Sequence, residues 1–438
     1  MNFKFLISNF KLRAILLLIL AFLAYLFFTD FGLIKRMVDY DILSLKGPMV
    51  SQISDSSLSH LKLPEGFKIN IFAKDLKDPR VVVFDPEGKM FVSETEKGDV
   101  VLLDDKDKNG ISDTKRIILS GLNKPHGLAF YSSGDVTYLY VAETQQVARY
   151  VYDIKNGIVT SAKGQNVTSL PADGRHFTRT ISFGPNFRKS QIIGTINTQI
   201  ETKLYISVGS SCDVCVEDTT WKRAAILESD PEGSYTAEFA GGLRNSVFFT
   251  FHPKTKEIWA TEMGRDDLGD NLPPDEINII KVAGTEDKFG AKRYGWPFCY
   301  GNQVRDKTFN PEKFQRIDIS SDCSKTEPPV IKIPAHSAPL GLAFVPSGNG
   351  WPKEWEGDLL VAFHGSWNRS VAVGYKIVRY NMDSNGNILS QKPEDFISGW
   401  LGADGKMSGR PVDLKFGPDC ALYTSDDSAG IIYKVTPN

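Results

Sequence analysis

Nine cationic or titratable side chains recur at one kind of place in this chain, the boundaries of short strand-like segments. They are His126, Arg175, His176, Arg244, Arg265, His336, His364, Arg369 and Arg410. Histidine titrates near neutral pH and serves as a general base where it can reach a proton. Arginine presents a planar fork of donors that fits carboxylates and developing oxyanions. Together they suit proton abstraction beside a polyanionic ligand. The competing reading is that these residues cap strands and pair with loop carboxylates such as Glu94, Glu143, Glu262, Asp266, Asp426 and Asp427. His176 and Arg244 each stand seven residues before a phenylalanine, Phe183 and Phe251, so they occupy equivalent places in different units.

Those units are six repeats of one phrase. An apolar-x-Phe ending is followed by a turn and then by an alternating strand. The anchor phenylalanines are Phe84, Phe130, Phe183, Phe251, Phe344 and Phe416, separated by 46, 53, 68, 93 and 72 residues. β-Hairpin units repeating at tens of residues indicate a propeller, in which a four-stranded blade needs roughly 40–50 residues. The excess in later units is loop. In a propeller the loop before the first strand and the loop after the second open on the same face. That rule gathers the nine side chains around one mouth, the default place for a site.

The chain has 438 residues, with 51 basic against 53 acidic side chains. This balance gives no argument for nucleic acid. Lys4, Lys11 and Arg13 precede an apolar run from Ala14 to Phe28, which reaches spanning length only if extended to Ile34. We expect one N-terminal transmembrane helix within 1–34, with a cleaved signal segment as the alternative. The basic flank keeps the N-terminus cytoplasmic and puts the remainder outside. Residues 35–61 read as a linker, and 62–438 as the six-bladed β-propeller of an all-β chain. Cys212 and Cys215 are close enough in sequence to bridge, and Cys299 and Cys323 could close one loop, leaving Cys420. Zinc at Cys212-x-x-Cys215 is the rival, without a second ligand pair nearby. Disulfides suit a compartment outside the cytoplasm.

Asp105, Asp107, Asn109 and Asp113 surround Gly110 in a loop between strands. Alternating oxygens with a glycine turn are what calcium requires. The bland alternative is a solvated acidic turn.

Eight segments then carry a resemblance. They are Gly174-Arg175-His176, Gly242-Leu243-Arg244-Asn245-Ser246, Thr261-Glu262-Met263-Gly264-Arg265-Asp266, Pro274-Asp275-Glu276-Ile277-Asn278, Tyr294-Gly295-Trp296-Pro297, Ala335-His336-Ser337-Ala338-Pro339-Leu340-Gly341, Phe363-His364-Gly365-Ser366-Trp367-Asn368-Arg369 and Gly409-Arg410-Pro411. In this order they resemble the sorbosone dehydrogenase and soluble glucose (pyranose) dehydrogenase-like quinoproteins, six-bladed propellers that use pyrroloquinoline quinone (PQQ) and calcium.

The resemblance implies a general base at His176, and at Arg244 an arginine beside the quinone oxygens. It implies cofactor contacts at Asn245 and Arg410, with His364, Trp367 and Arg369 in a cofactor-facing segment. Arg265 and His126 are assigned to the same side. It implies backbone carbonyls of Gly264 and Arg265 on a catalytic calcium, and Asp275, Glu276 and the Tyr294 backbone at a second calcium. Ser210 stands where glucose dehydrogenases carry an aspartate that orients the base, and Met263 replaces a polar residue. The expected function is PQQ- and calcium-dependent oxidation of a sugar or aldehyde, with an external electron acceptor. A calcium-dependent lactonase and a non-catalytic binding propeller are the alternatives.

Overall fold

The computed structural model describes residues 58–438 except 162, 189–200, 285–289, 312–320 and 349. The expected membrane segment and most of the linker lie outside the described residues.

The described chain forms six four-stranded antiparallel blades, two of them with extra short strands. The innermost strands are Pro79–Phe84, Leu128–Ser133, Ile181–Pro185, Phe249–Phe251, Pro339–Phe344 and Pro411–Phe416. Each ends on or near its anchor phenylalanine. Second strands such as Met90–Glu94, Ile258–Glu262, Leu359–Phe363 and Leu422–Asp426 are buried at every position. They are covered by a neighbouring blade on both faces, which is why they read as unbroken apolar runs rather than strict alternation.

The anchors work between blades. Phe130 meets Phe91, Phe183 meets Tyr140, Phe251 meets Tyr205, Phe344 meets Trp259 and Phe84 meets Tyr423, at centroid distances of 4.9–5.7 Å. Each partner sits on the second strand of the preceding blade, with blade six preceding blade one. Blade five has Leu360 at that position, and Trp351 from the adjoining loop meets Phe416 at 5.1 Å instead. Each such pair is worth about 0.5–1.5 kcal/mol beyond its area burial. The six anchors also line an axial cavity of about 670 Å³ at the end of the ring away from the mouth.

The ring is closed by its two ends. Phe67–Ala73 forms the outermost strand of blade six, antiparallel to Ile431–Pro437, with Ile71 opposite Tyr433. This strand lies within the propeller span read from the sequence, but its pairing across the whole chain was not foreseen.

Blade four holds the largest insertion. After Asp275–Ile280 the chain leaves the sheet and makes a ribbon of Cys299–Tyr300 with Val304–Arg305. It returns as the outer strand Ile331–Ile333. Lys292–Arg293 pairs in parallel with the edge of blade three at Ala240 and Gly241. Cys299–Cys323 and Cys212–Cys215 are disulfides, and Cys420 is a thiol.

Candidate active site

His176 lies in the loop that enters blade three. Its Nδ1 is 2.9 Å from the Ser210 carbonyl oxygen and 3.0 Å from Ser210 Oγ. A carbonyl oxygen only accepts, so Nδ1 carries the proton and Nε2 keeps its lone pair. Nε2 makes no hydrogen bond among the described residues. Arg179 fixes the backbone by donating to the His176 carbonyl at 2.9 Å. Burial, then the charges of Arg244 and Arg175, pull the His176 pKa well below 6.5, while the Ser210 carbonyl counters. The imidazole is therefore neutral at physiological pH, as a base must be. Gly209 makes room for it: a Cβ there would fall 2.7 Å from His176 Cβ and 2.6 Å from Asn245 Oδ1.

Arg244 is buried at 4 % exposure and already engaged. Its Nε donates to the Asp213 carbonyl at 3.0 Å and Nη1 to the Met263 carbonyl at 3.2 Å. Its Nη2 meets Asp213 Oδ1 at 2.7 Å and Asp266 Oδ2 at 3.3 Å. Asp266 also pairs with Arg175 at 2.7 Å, and Asp213 lies 3.6 Å from Arg175 and 3.7 Å from Arg265. Arginines converging on one space were expected to need an external anion. Two carboxylates of the protein supply that charge instead. Burial pushes the Asp266 carboxyl up against the pull of Arg244 and Arg175. Asn245 sits beside this cluster, its N–H on Glu262 Oε1 at 3.0 Å.

A second cluster lies where blades five, six and one meet. His364 Nε2 is 2.9 Å from both carboxylate oxygens of Asp427, which also pairs with Arg80. Burial and Arg410 bring the His364 pKa down to about 4, outweighing Asp427. Burial works against ionisation of Asp427, yet His364 and Arg80 hold it well below the usual carboxylate range. Arg410 donates from Nε to the His364 carbonyl at 3.1 Å and from Nη2 to the Gly365 carbonyl at 2.5 Å. Its Nη1 has no partner among the described residues, so a donor pair remains for a ligand carboxylate. Trp367 is half-buried on the same loop.

Arg369, Arg265, His126 and His336 are engaged within the protein. Arg369 ties loops together, donating to the carbonyls of Asp270, Ala335 and Val371. Arg265 donates to Asp306 at 2.9 Å and to Thr308 at 3.1 Å. His126 has no exposed surface, and its ring packs edge-on against Phe248. Burial keeps it neutral, and it lies beneath the site rather than lining it. His336 bridges from Nε2 to the Gly269 carbonyl at 3.0 Å, and its Nδ1 accepts from Asn368.

The carbonyls of Gly264 and Arg265 accept no hydrogen bond among the described residues. The loop that carries them is pinned by Asp275, whose two oxygens take the amides of Gly264 and Ala338 at 2.9 Å each. Unspent carbonyls on a fixed loop suit a hard cation.

Asp275 and Glu276 are neighbours on one strand, so their side chains leave on opposite faces and do not converge on one ion. Glu276 instead faces Glu262 directly across the strand pair. Both are fully buried, and burial raises Glu262 to about 8 and Glu276 to about 7. A cavity of about 30 Å³ is lined by both, together with Tyr294, Gly264 and Trp296. Glu262 and Glu276 thus share one face and one cavity, while Asp275 is occupied with the amides of Gly264 and Ala338.

In the acidic loop, Asp105, Asp107 and Asp113 converge closely enough to share an ion. Their oxygens also accept backbone amides of Asn109, Gly110 and Lys106.

Sequence reasoning missed Asp213 and Arg80. Asp213 sits inside the Cys212-x-x-Cys215 ring, which drew attention only for its sulfurs. Arg80 precedes Phe84 by only four residues and sits at the start of a first strand, a place equivalent to other mouth residues.

The fold and this mouth define a six-bladed propeller with a neutral histidine set among arginine–carboxylate pairs. Residues 61–438 match the TrAA12-like family model, and the chain belongs to that family of PQQ-dependent sugar dehydrogenase-like propellers. An uncharacterized protein of Borreliella burgdorferi is 31 % identical over 381 residues, covering 86 % of this chain and 91 % of that protein. A pyrroloquinoline quinone-dependent pyranose dehydrogenase of Coprinopsis cinerea is 23 % identical over 418 residues, or 85 % of this chain. The match spans 54 % of that longer enzyme's length. Among solved structures, a Trichoderma reesei carbohydrate-active enzyme of family AA12 superposes with a TM-score of 0.69 at 22 % identity. It covers 89 % of this chain and 100 % of that one. The holo PQQ domain of the C. cinerea pyranose dehydrogenase gives 0.65 at 21 %, with 89 % and 99 % coverage.

Proposed function

We propose that the protein is a PQQ- and calcium-dependent oxidoreductase of the sorbosone dehydrogenase kind, oxidising a sugar or a sugar-derived aldehyde. The observation that carries this reading is His176, whose Nδ1–H rests on a fixed carbonyl while its Nε2 stays unpartnered beside Arg244. PQQ, when bound, supplies the two-electron hydride acceptor, and calcium supplies the polarising charge.

The protein's part is then a division of labour. His176 Nε2 takes the hydroxyl proton of the sugar, or of an aldehyde hydrate, as the C–H hydride departs. Arg244, anchored by Asp213 and Asp266, keeps one N–H for an oxyanion opposite the base. Arg410 Nη1 would hold a cofactor carboxylate, and the half-buried Trp367 ring would offer an apolar face to a planar ligand. The carbonyls of Gly264 and Arg265 would hold calcium at the site, and Glu262, Glu276 and the Tyr294 backbone would hold a second ion inside blade four. The acidic loop at Asp105, Asp107, Asn109 and Asp113 would take a further calcium, with a stabilising role. We place the propeller outside the cytoplasm behind an N-terminal anchor, a location that two disulfides support.

The self-neutralised arginine cluster favours a second reading, a propeller that binds ligands without turnover. Full chain purified free of cofactor, given PQQ and calcium, separates the two. Reduction of an artificial dye across a panel of aldoses and aldehydes, dependent on both additions, supports the dehydrogenase. A melting shift without dye reduction supports the binding propeller.

A further inference from the structure

One ring of four residues touches both halves of the proposed chemistry. The Cys212–Cys215 disulfide closes Cys212, Asp213, Val214 and Cys215 at the mouth of blade three. The Cys212 carbonyl accepts the Ser210 hydroxyl at 2.6 Å. A serine hydroxyl has one proton. With that proton committed to Cys212, only a lone pair of Oγ faces His176 Nδ1 at 3.0 Å, next to the Ser210 carbonyl at 2.9 Å. Two acceptors and no donor therefore surround Nδ1. The same ring presents Asp213. Its carboxylate takes Arg244 at 2.7 Å and the Asp266 amide at 2.9 Å. Its carbonyl is held by Arg244 Nε at 3.0 Å and by Trp296 Nε1 at 3.1 Å.

We infer that the disulfide ring is the positioning device of the site: through Ser210 it holds His176 in the Nδ1–H tautomer, so that Nε2 is the proton-accepting atom, and through Asp213 it sets Arg244 beside that atom. Ser210 and Asp213 are positioning residues, and neither takes the proton. This arrangement does by a hydroxyl and a carbonyl what an orienting carboxylate does elsewhere. It adds no negative charge, so it selects the tautomer while raising the basicity of the ring less than a carboxylate would. The inference rests on His176 being the base, but the tautomer is a property of the protein alone.

The test is a long-range ¹H–¹⁵N NMR spectrum of the intact protein with labelled histidine, assigned with His176→Gln. The expected result is a protonated Nδ1 and a pyridine-type Nε2 for His176 at neutral pH. A protonated Nε2 overturns the inference, whether or not the protein oxidises any sugar. Opening the ring with Cys212→Ala and Cys215→Ala frees the Ser210 hydroxyl to donate to Nδ1. The Nε2–H form should then gain population, against the Nδ1–H form that the Ser210 carbonyl still favours. Adding Ser210→Ala to that variant removes the competing donor and should restore Nδ1–H. An unchanged tautomer in the opened ring would leave the disulfide without this role. If the opened variant does not fold, the native spectrum decides alone. In turnover, opening the ring should lower kcat roughly five- to tenfold, about the worth of one net hydrogen bond, with KM for sugar little changed. Equal losses in kcat and in thermal stability, with the tautomer retained, would indicate a structural tie only.

Discussion

Glu262 stands directly opposite Glu276 in blade four, two fully buried carboxylates on one face of adjoining strands. Like charges in this relationship destabilise a strand pair unless a proton or a cation lies between them. Ser246 Oγ and the Asn245 amide donate to Glu262, while the Gly301 amide and Asn278 donate to Glu276. Those donors compensate in part. Calcium should therefore raise the melting temperature of the native protein, and chelation should lower it. Glu262→Gln and Glu276→Gln should each remove at least half of the calcium-induced shift in differential scanning calorimetry. A full shift in both variants would put the ion elsewhere.

The acidic loop is separable from that site. Asp105→Asn combined with Asp107→Asn should lower the melting temperature in calcium and leave it unchanged in chelator. Identical curves in calcium would make the loop an ordinary turn, held by the amides that its carboxylates accept.

Gly209→Ala tests the close approach behind the base. Its Cβ would overlap both His176 and Asn245. Overpacking of this kind costs about 1–3 kcal/mol and displaces the ring. Activity should fall by more than tenfold, with a melting temperature lowered by a few degrees. Retention of full activity would show that the ring tolerates displacement.

His364 provides a pH signature. Its pKa is brought to about 4 in the folded protein, whereas an unfolded histidine titrates near 6.5. Between these values the unfolded chain binds a proton that the folded chain refuses. Its contribution to stability is thus complete above pH 6.5 and is lost as pH falls toward 4, by up to ~1.4 kcal/mol per pH unit. His364→Gln should flatten the fall in unfolding free energy across that window relative to the native protein. Parallel curves would mean that the folded protein protonates His364 normally.

Six blades were legible because the anchor phenylalanines do the same job in each. Phe130 and Phe344 meet Phe91 and Trp259 through one inter-blade contact, so one phrase recurs despite unequal loops. The mouth was legible because strand polarity alone sorts loop residues to one face. The closing strand Phe67–Ala73 was not, since nothing local to it announces a partner at Ile431–Pro437. The fate of the arginines was legible in part, through Asp266, but not through Asp213. Their charge is met by Asp213, which only the disulfide turn brings under Arg244. That Glu262 rather than Asp275 shares a face with Glu276 follows from register and strand alternation, which the resemblance did not carry. His126 matched the pattern of a mouth residue, but its ring turned into the core against Phe248.

The central claim is that His176 accepts the proton in a quinone-dependent oxidation. The most direct measurement is single-turnover reduction of bound PQQ by saturating sugar, in the native protein and in His176→Ala, each loaded with PQQ and calcium to the same occupancy. A general base contributes roughly 10²–10⁴-fold. The account predicts a loss of that size in the variant, with unchanged cofactor affinity. It also predicts a native rate that holds as pH falls to 6.5 and declines only below it, because the folded pKa of His176 is depressed. Equal rates in the two proteins would contradict the assignment of His176, and no reduction of PQQ in the native protein by any aldose or aldehyde would contradict the dehydrogenase itself.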